Sequence, residues 1–161
     1  MSFFASFFKT SSKPTDTKPE STPLNLSNRN LARQNFSTGN FKDGNFSDSD
    51  LSESDLSMAI LVFGNFTRSR LTRTNLRGAN LIGAKLISSD LTKANLVGSN
   101  LIGADLTGAN LVGANLSGAS LMSADLTGAN LTGANLTGAN LLDAVTTGAN
   151  FHGAKLTNAN L

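Results

Sequence analysis

His152 is the single histidine of the 161-residue chain, and there is no cysteine to join it. Metal centres and nucleophilic sites need several such groups converging, so His152 reads as a solvated side chain. The lack of cysteine removes disulfides, thiolate ligands and thiol catalysis together, and leaves the redox compartment open. Asp105 and Asp125 stand 20 residues apart, with Lys85 a further 20 before them. Paired carboxylates do acid–base work when a pocket drives their pKa values apart. Arg68, Arg70, Arg73 and Arg77 form a basic run of the kind that grips phosphate. Gly98, Gly103, Gly108, Gly113 and Gly118 recur at every fifth position, which is not the G-x-G-x-x-G spacing of a phosphate loop.

Whether any of these groups converge depends on what carries them, and that is a repeat. From Leu26 to Leu161 every fifth residue is Leu or Phe, 28 positions without insertion or deletion, and Thr146 is the one exception. Two residues before each lies a small one, always Ala from Ala104 to Ala159 and Gly, Ser, Thr or Ala from Gly39 to Ser99. Leu24, Arg29 and Gln34 break that rule at the entrance. The residue just before each Leu or Phe is usually Asn or Asp, the exceptions being Ile60, Arg70, Lys85, Ser120, Val145 and Lys155.

A period of five suits neither an α-helix nor a flat strand. It suits a chain that turns a corner every five residues, with the Leu and the small residue facing in. Stacked coils then hydrogen-bond at a spacing of roughly 4.8 Å, and each buried Leu contributes about 1.5–3 kcal/mol before entropy is counted. A straight face of such a stack offers no concavity. Asp105 and Asp125 therefore read as a surface ladder, the glycines as corner residues, and Thr146 as a core irregularity with its hydroxyl bonded to backbone. The chain is expected to be non-enzymatic, with no cofactor and no metal.

The run ANLTGANLTGANL at 129–141 and its neighbours resemble the pentapeptide-repeat family, with its A(D/N)LXX consensus. The likeness covers residues 24–161. It implies an all-β fold, a right-handed quadrilateral parallel β-helix of about seven coils, roughly 34 Å long at the usual strand spacing. Some members resemble B-form DNA in shape and charge and bind DNA gyrase, which makes a gyrase regulator the alternative function. Residues 24–161 hold 10 basic and 9 acidic side chains and no loop insertion, which disfavours DNA mimicry.

The residues alone also point to four sides. Just after the inward Leu or Phe, Val, Ile, Leu or Met occurs eight times, and five of these are Val62, Ile82, Ile102, Met122 and Leu142, each 20 apart. A 15-residue coil would dissolve that stripe. The same offset sets Asp48 over Arg68, Asp50 over Arg70 and Glu53 over Arg73, with Arg33 flanking Glu53 and Asp90 flanking Arg70. The arginine run thus reads as neutralisation between coils, about 0–1 kcal/mol per exposed pair. Phe36, Phe41 and Phe46 fall on three consecutive faces near the start, as a plug, with Gly39 and Gly44 making room.

The stripe, with Ile60 and Phe63 beside it, forms a contiguous apolar line that suggests a contact face. The function expected is a scaffold for a protein partner or for self-association, and related C-terminal coils make a two-fold homodimer through the last coil plausible. A net charge of +2 argues for neither nucleic acid nor membrane. No apolar run reaches the ~18–20 residues of a span, and no secretory signal is read at the start, so the cytoplasm is the expected location. Residues 1–23 differ in kind: Phe3, Phe4, Phe7 and Phe8 share one side of a short helix, or the segment is disordered, before a polar linker. Three roles stay open for these phenylalanines: capping the first coil, lying along the stripe of this or another subunit, or anchoring peripherally in a membrane interface.

Overall fold

The computed structural model describes residues 23–161. Every β-bridge among them is parallel and joins residues 20 apart, from Asn25–Asn45 to Asn140–Asn160. One coil is therefore four pentapeptides, and the chain climbs as a square rod. We number the faces in chain order: face 1 opens with residues 24–28, face 2 with 29–33, face 3 with 34–38 and face 4 with 39–43, each recurring every 20 residues. Continuous strands are absent among the described residues, because a chain that turns every five residues leaves one bridged residue per face.

The backbone bonds explain the pentapeptide. On face 4, Asn100 N–H donates to Ala79 O at 2.9 Å, Leu81 N–H to Asn100 O at 2.7 Å and Gly83 N–H to Ile102 O at 3.0 Å. Ala84 N–H closes the corner onto Leu81 O at 3.0 Å. The third residue of that turn, Gly83, has φ +62°, which makes it a type II corner and favours glycine there. The Asn before the Leu holds the next corner in shape. Asn130 Oδ1 accepts Thr132 N–H at 3.1 Å and Thr132 O–H at 2.6 Å, so an Asn or Asp with a Ser or Thr two residues later locks the turn locally.

The core is a set of columns of Leu and Ala running up the axis, buried from Leu51 to Leu136. Where a hydroxyl replaces Ala it finds a carbonyl: Ser69 O–H donates to Phe66 O and Thr74 O–H to Leu51 O, both at 2.7 Å. No buried side-chain polar atom among the described residues lacks a partner. At the start of the rod Phe36, Phe41 and Phe46 meet edge to face, with centroids 5.6 and 5.9 Å apart. Glycine does make the room. A Cβ on Gly39 would lie 2.3 Å from the Phe41 ring, and one on Gly44 would lie 3.0 Å from the Phe46 ring.

The irregular inward positions sit in the first and last coils. Leu24, Arg29 and Gln34 are exposed, so large residues at the small-residue sites of the first coil meet no crowding. The expectation for Thr146 needs correction. It is exposed, and it lines an apolar cup of roughly 260 Å³ with Leu141, Ala144, Phe151, Leu156 and Leu161. Leu126 lies below it in the column, and no described residue stacks above it.

Candidate functional site

Charge and apolarity are segregated among the four sides. The corner column of face 1 holds Asp48 and Arg68, joined by Nε–Oδ1 and Nη2–Oδ2 bonds of 2.7 and 2.8 Å. Face 2 holds Asp50 and Arg70, at 3.9 Å. Glu53 does not pair with Arg73. It accepts Arg33 Nε at 3.0 Å instead, since a carboxylate between two arginines of one column satisfies one of them. Arg73 and Lys93 then have no ion pair among the described residues and border a shallow cleft with Arg70, Thr72 and Thr92. The arginine run is neutralised at Arg68 and Arg70 only.

Face 4 is different. From residue 78 to residue 142 its bridge column is Asn80, Asn100, Ser120 and Asn140, and its outer column is Ile82, Ile102, Met122 and Leu142. Its two flanking corners over the same stretch are glycine except for Ser123. No charge stands on it there, and the glycine corners leave it flat. Each asparagine is tied down: Asn80, Asn100 and Asn140 accept the backbone N–H of Ile82, Ile102 and Leu142 at 3.3, 3.2 and 3.1 Å.

One coil earlier the whole side is apolar. Residues 58–63 read MAILVF; Ala59 and Leu61 are buried, and the others face outward. Met58 is 62% exposed, Phe63 56% and Ile60 41%. The stripe itself stands less proud than its spacing suggests. Val62, Ile82, Ile102 and Met122 are half-buried, each crowded by the residue of the adjoining coil, and only Leu142, at the top of the column, reaches 41% exposure. Met58, the most exposed of the patch, is the residue that the stripe argument missed. The signal for it was the unbroken apolar run from 58 to 63.

Glycine shapes this patch too. Met58 Sδ lies 2.5 Å from where a Cβ of Gly78 would be, and two Phe63 ring atoms lie 2.5 Å from the corresponding point of Gly83. Both side chains therefore lean up the rod onto glycine corners and widen face 4 at its lower end.

The chemistry-bearing residues do not converge. His152 is exposed, and no cluster of His, Cys, Asp and Glu among the described residues is placed to hold a metal ion. Asp105 and Asp125 are bridged neighbours on face 1. The Thr127 hydroxyl and N–H hold the Asp125 carboxyl below the usual carboxylate range, the opposite of what a general acid requires. Burial pushes the Asp90 carboxyl up, but bonds from Thr92 and Thr72 and the charge of Arg70 outweigh it and leave its pKa lowered. Phe3, Phe4, Phe7 and Phe8 lie outside the described residues. No helix among the described residues is long and apolar enough to cross a membrane.

The family model for pentapeptide repeats, eight copies long, matches residues 65–102, 99–138 and 124–161. The chain belongs to the pentapeptide-repeat family. Proteins of this family form right-handed quadrilateral β-helices, the four-sided path that the bridges trace here. Among solved structures, this pentapeptide-repeat protein resembles QnrB1, a plasmid-mediated fluoroquinolone resistance protein, at 22% identity and TM-score 0.68, over 84% of this chain and 71% of that one. HetL, a pentapeptide-repeat protein involved in heterocyst differentiation regulation from the cyanobacterium Nostoc sp., matches at 25% identity over 85% of this chain and 89% of its own, with TM-score 0.33. Rfr23 from the cyanobacterium Cyanothece matches at 27% identity over 86% and 88%, with TM-score 0.35. No curated protein matches in sequence.

Proposed function

We propose that this pentapeptide-repeat protein is a non-enzymatic scaffold that holds a protein partner against face 4. The observation that carries the reading is the exposure of Met58, Ile60 and Phe63 at the foot of a stretch of this side, residues 78–142, that carries no charge. Apolar side chains scattered over a surface mean little, whereas a contiguous patch marks a contact. The flatness of the side suits a macromolecule with a complementary apolar strip and gives a small metabolite no enclosure. The non-enzymatic reading rests on the scattering of the titratable residues over open faces. The likeness to QnrB1 supports the fold alone, and the balanced charge of the rod gives no support to DNA mimicry.

The test is the triple variant Ile82→Ser, Ile102→Ser, Met122→Ser, checked for folding by its thermal melt. The expected result is loss of the captured partner, or of self-association, from an otherwise folded rod. An unchanged mass by light scattering together with an unchanged pull-down profile overturns the reading.

A further inference from the structure

We infer that the protein partner held on face 4 is acidic along one flank, and that Arg77, Arg73 and Lys93, on face 3 and its far corner, receive its carboxylates. The inference deepens the scaffold reading and rests on it. It starts from a backbone contact. Met58 N–H donates to Arg77 O at 2.9 Å, so the most exposed residue of the apolar patch and an exposed arginine are neighbours in adjoining coils. Met58 Sδ packs over Gly78, which follows Arg77 and forms the corner between faces 3 and 4. That corner is glycine again at Gly98, Gly118 and Gly138, so a contact on face 4 crosses onto face 3 without meeting a side chain at the corner.

The uncompensated charge nearest the patch lies on this flank. Arg77, Arg73 and Lys93 have no ion pair among the described residues. The carboxylates around them are engaged: Glu53 by Arg33, Asp50 by Ser52, Asp55 by Ser57 and Asn75, and Asp90 by Thr72 and Thr92. On the other flank, beyond Phe63, Asp48 and Arg68 satisfy each other, and Lys85 is bridged to Asp105. Below the patch Lys42 and Asp43 are sequence neighbours of opposite sign.

Arg73 and Lys93 are also costly residues for their corner. Both have φ 58°, and glycine takes that corner from Gly113 upward. They stand one coil apart with the same sign, and the Lys93 stem leans up the rod, its Cγ 3.6 Å from where a Cβ of Gly113 would be. Nothing within the rod offsets the cost, whereas carboxylates from outside do. An apolar centre with arginine beside it is the usual anatomy of a protein interface.

Other polyanions fit less well. Among the described residues, the carboxylates held by neither a cation nor a hydroxyl are Asp43, Asp105 and Asp143, each on a different coil, so a second copy offers no acidic cluster. Residues 60–79 hold four arginines and no carboxylate, but residues 40–59 hold five carboxylates and one lysine. No cation stands between Lys93 and Lys155. The basic band is thus two coils tall, about 10 Å, and a phosphate backbone leaving it meets repulsion on either side.

The probes are fluorescein-labelled ten-residue peptides, one half Leu and Val and the other half Glu, Lys or Ser, followed by anisotropy on the full chain. The Glu peptide should bind about tenfold tighter than the Ser peptide below about 0.1 M salt, and the Lys peptide weakest. The difference should shrink as salt is raised. The variant Arg73→Gln, Arg77→Gln, Lys93→Gln should melt like the parent and lose the preference. Removing three cations elsewhere, by Arg29→Gln, Lys85→Gln and Lys155→Gln, should leave it.

A Glu peptide that binds no tighter than the Ser peptide overturns the inference. So does a preference that survives loss of Arg73, Arg77 and Lys93, or one that falls as far in the control variant, which reflects total charge alone. A labelled single-stranded oligonucleotide bound more tightly through the same three residues also overturns it, in favour of nucleic acid. Failure here differs from failure of the scaffold. If the Glu preference is absent while the Ile82, Ile102 and Met122 variant still loses its partner, the acidic flank fails and the scaffold stands. If that variant captures its partner as before, the scaffold on face 4 fails whatever the peptides show.

Discussion

The phenyl rings of Phe46 and Phe66, 20 residues apart on face 1, stack with centroids 4.8 Å apart and planes 2° from parallel. The column is Leu above and below them, so two adjoining coils accept the larger ring together, and glycine at Gly44 and Gly64 makes the room. A Cβ on Gly64 would fall 2.8 Å from the Phe66 ring and 3.0 Å from Leu61 O. Gly64→Ala is therefore expected to destabilise the rod by about 1–3 kcal/mol through overpacking. Phe66→Leu in the same chain restores the Ala–x–Leu pairing of later coils and should recover part of the loss. Urea unfolding of the two single variants and the double one checks this, and additive effects would show that Gly64 and Phe66 are not coupled.

Acid should loosen the rod through the bridge-column carboxylates Asp50 and Asp55 and the corner carboxylate Asp48. Asp50 and Asp55 are held below the ordinary carboxylate range, first by the hydroxyls of Ser52 and Ser57, and Asp48 by its bond to Arg68. A carboxylate with a depressed folded pKa lends stability that is present above its unfolded value, about 3.9, and is lost as pH falls through the folded value. Melting temperature should accordingly fall below about pH 4. Asp55→Asn keeps an oxygen for the Ser57 N–H bond of 2.9 Å and removes the titration. It should be somewhat less stable than the parent at pH 7, lacking that contribution, and lose less stability between pH 4 and pH 2, so that the two proteins converge in acid. Parallel pH profiles for the two proteins would exclude Asp55 as a contributor.

The repeat made most of this fold legible. Because no residue is inserted between Leu26 and Leu161, a single register decides every contact, and the line from Val62 to Leu142 was enough to find the four-sided coil. Side-chain choices within a column were not legible. Glu53 has an arginine 20 residues away on both sides, and spacing alone does not say that Arg33 wins. The exposure of Met58 depends on its leaning across Gly78, a relation between two corners and not between two members of the apolar stripe. Thr146 obeys the register and is still exposed, because burial of an inward residue requires a coil on each side of it.

The buried hydroxyls should prove nearly dispensable. Ser49, Ser54, Ser69, Ser89 and Ser99 each bond a carbonyl three residues back, and that carbonyl already accepts the backbone N–H of the same serine. Later coils hold Ala at the same site. Ser69→Ala removes donor and hydroxyl together and strands no buried group, so the expected change is within about 1 kcal/mol. A larger loss in thermal or urea unfolding would mean that the Phe66 carbonyl depends on the second bond.

Met58 and Phe63 present the sharpest conflict between stability and use. Both occupy corners with positive φ, 58° and 55°, where a side chain other than glycine costs roughly 1–2 kcal/mol. Both expose more than half of their surface, so burial returns little of that cost. Replacing Met58→Gly, Ile60→Asn and Phe63→Gly turns MAILVF into GANLVG, nearly the GANLIG that residues 78–83 already use in the next coil. Glycine gives back about 0.5–1 kcal/mol per site through the unfolded chain, so the triple variant should melt within a few degrees of the parent or above it. Capture of a partner should meanwhile weaken at least tenfold, about 1.4 kcal/mol or more. A rod that melts far lower would assign the three residues to packing. One that melts alike and binds alike would remove them from the contact face.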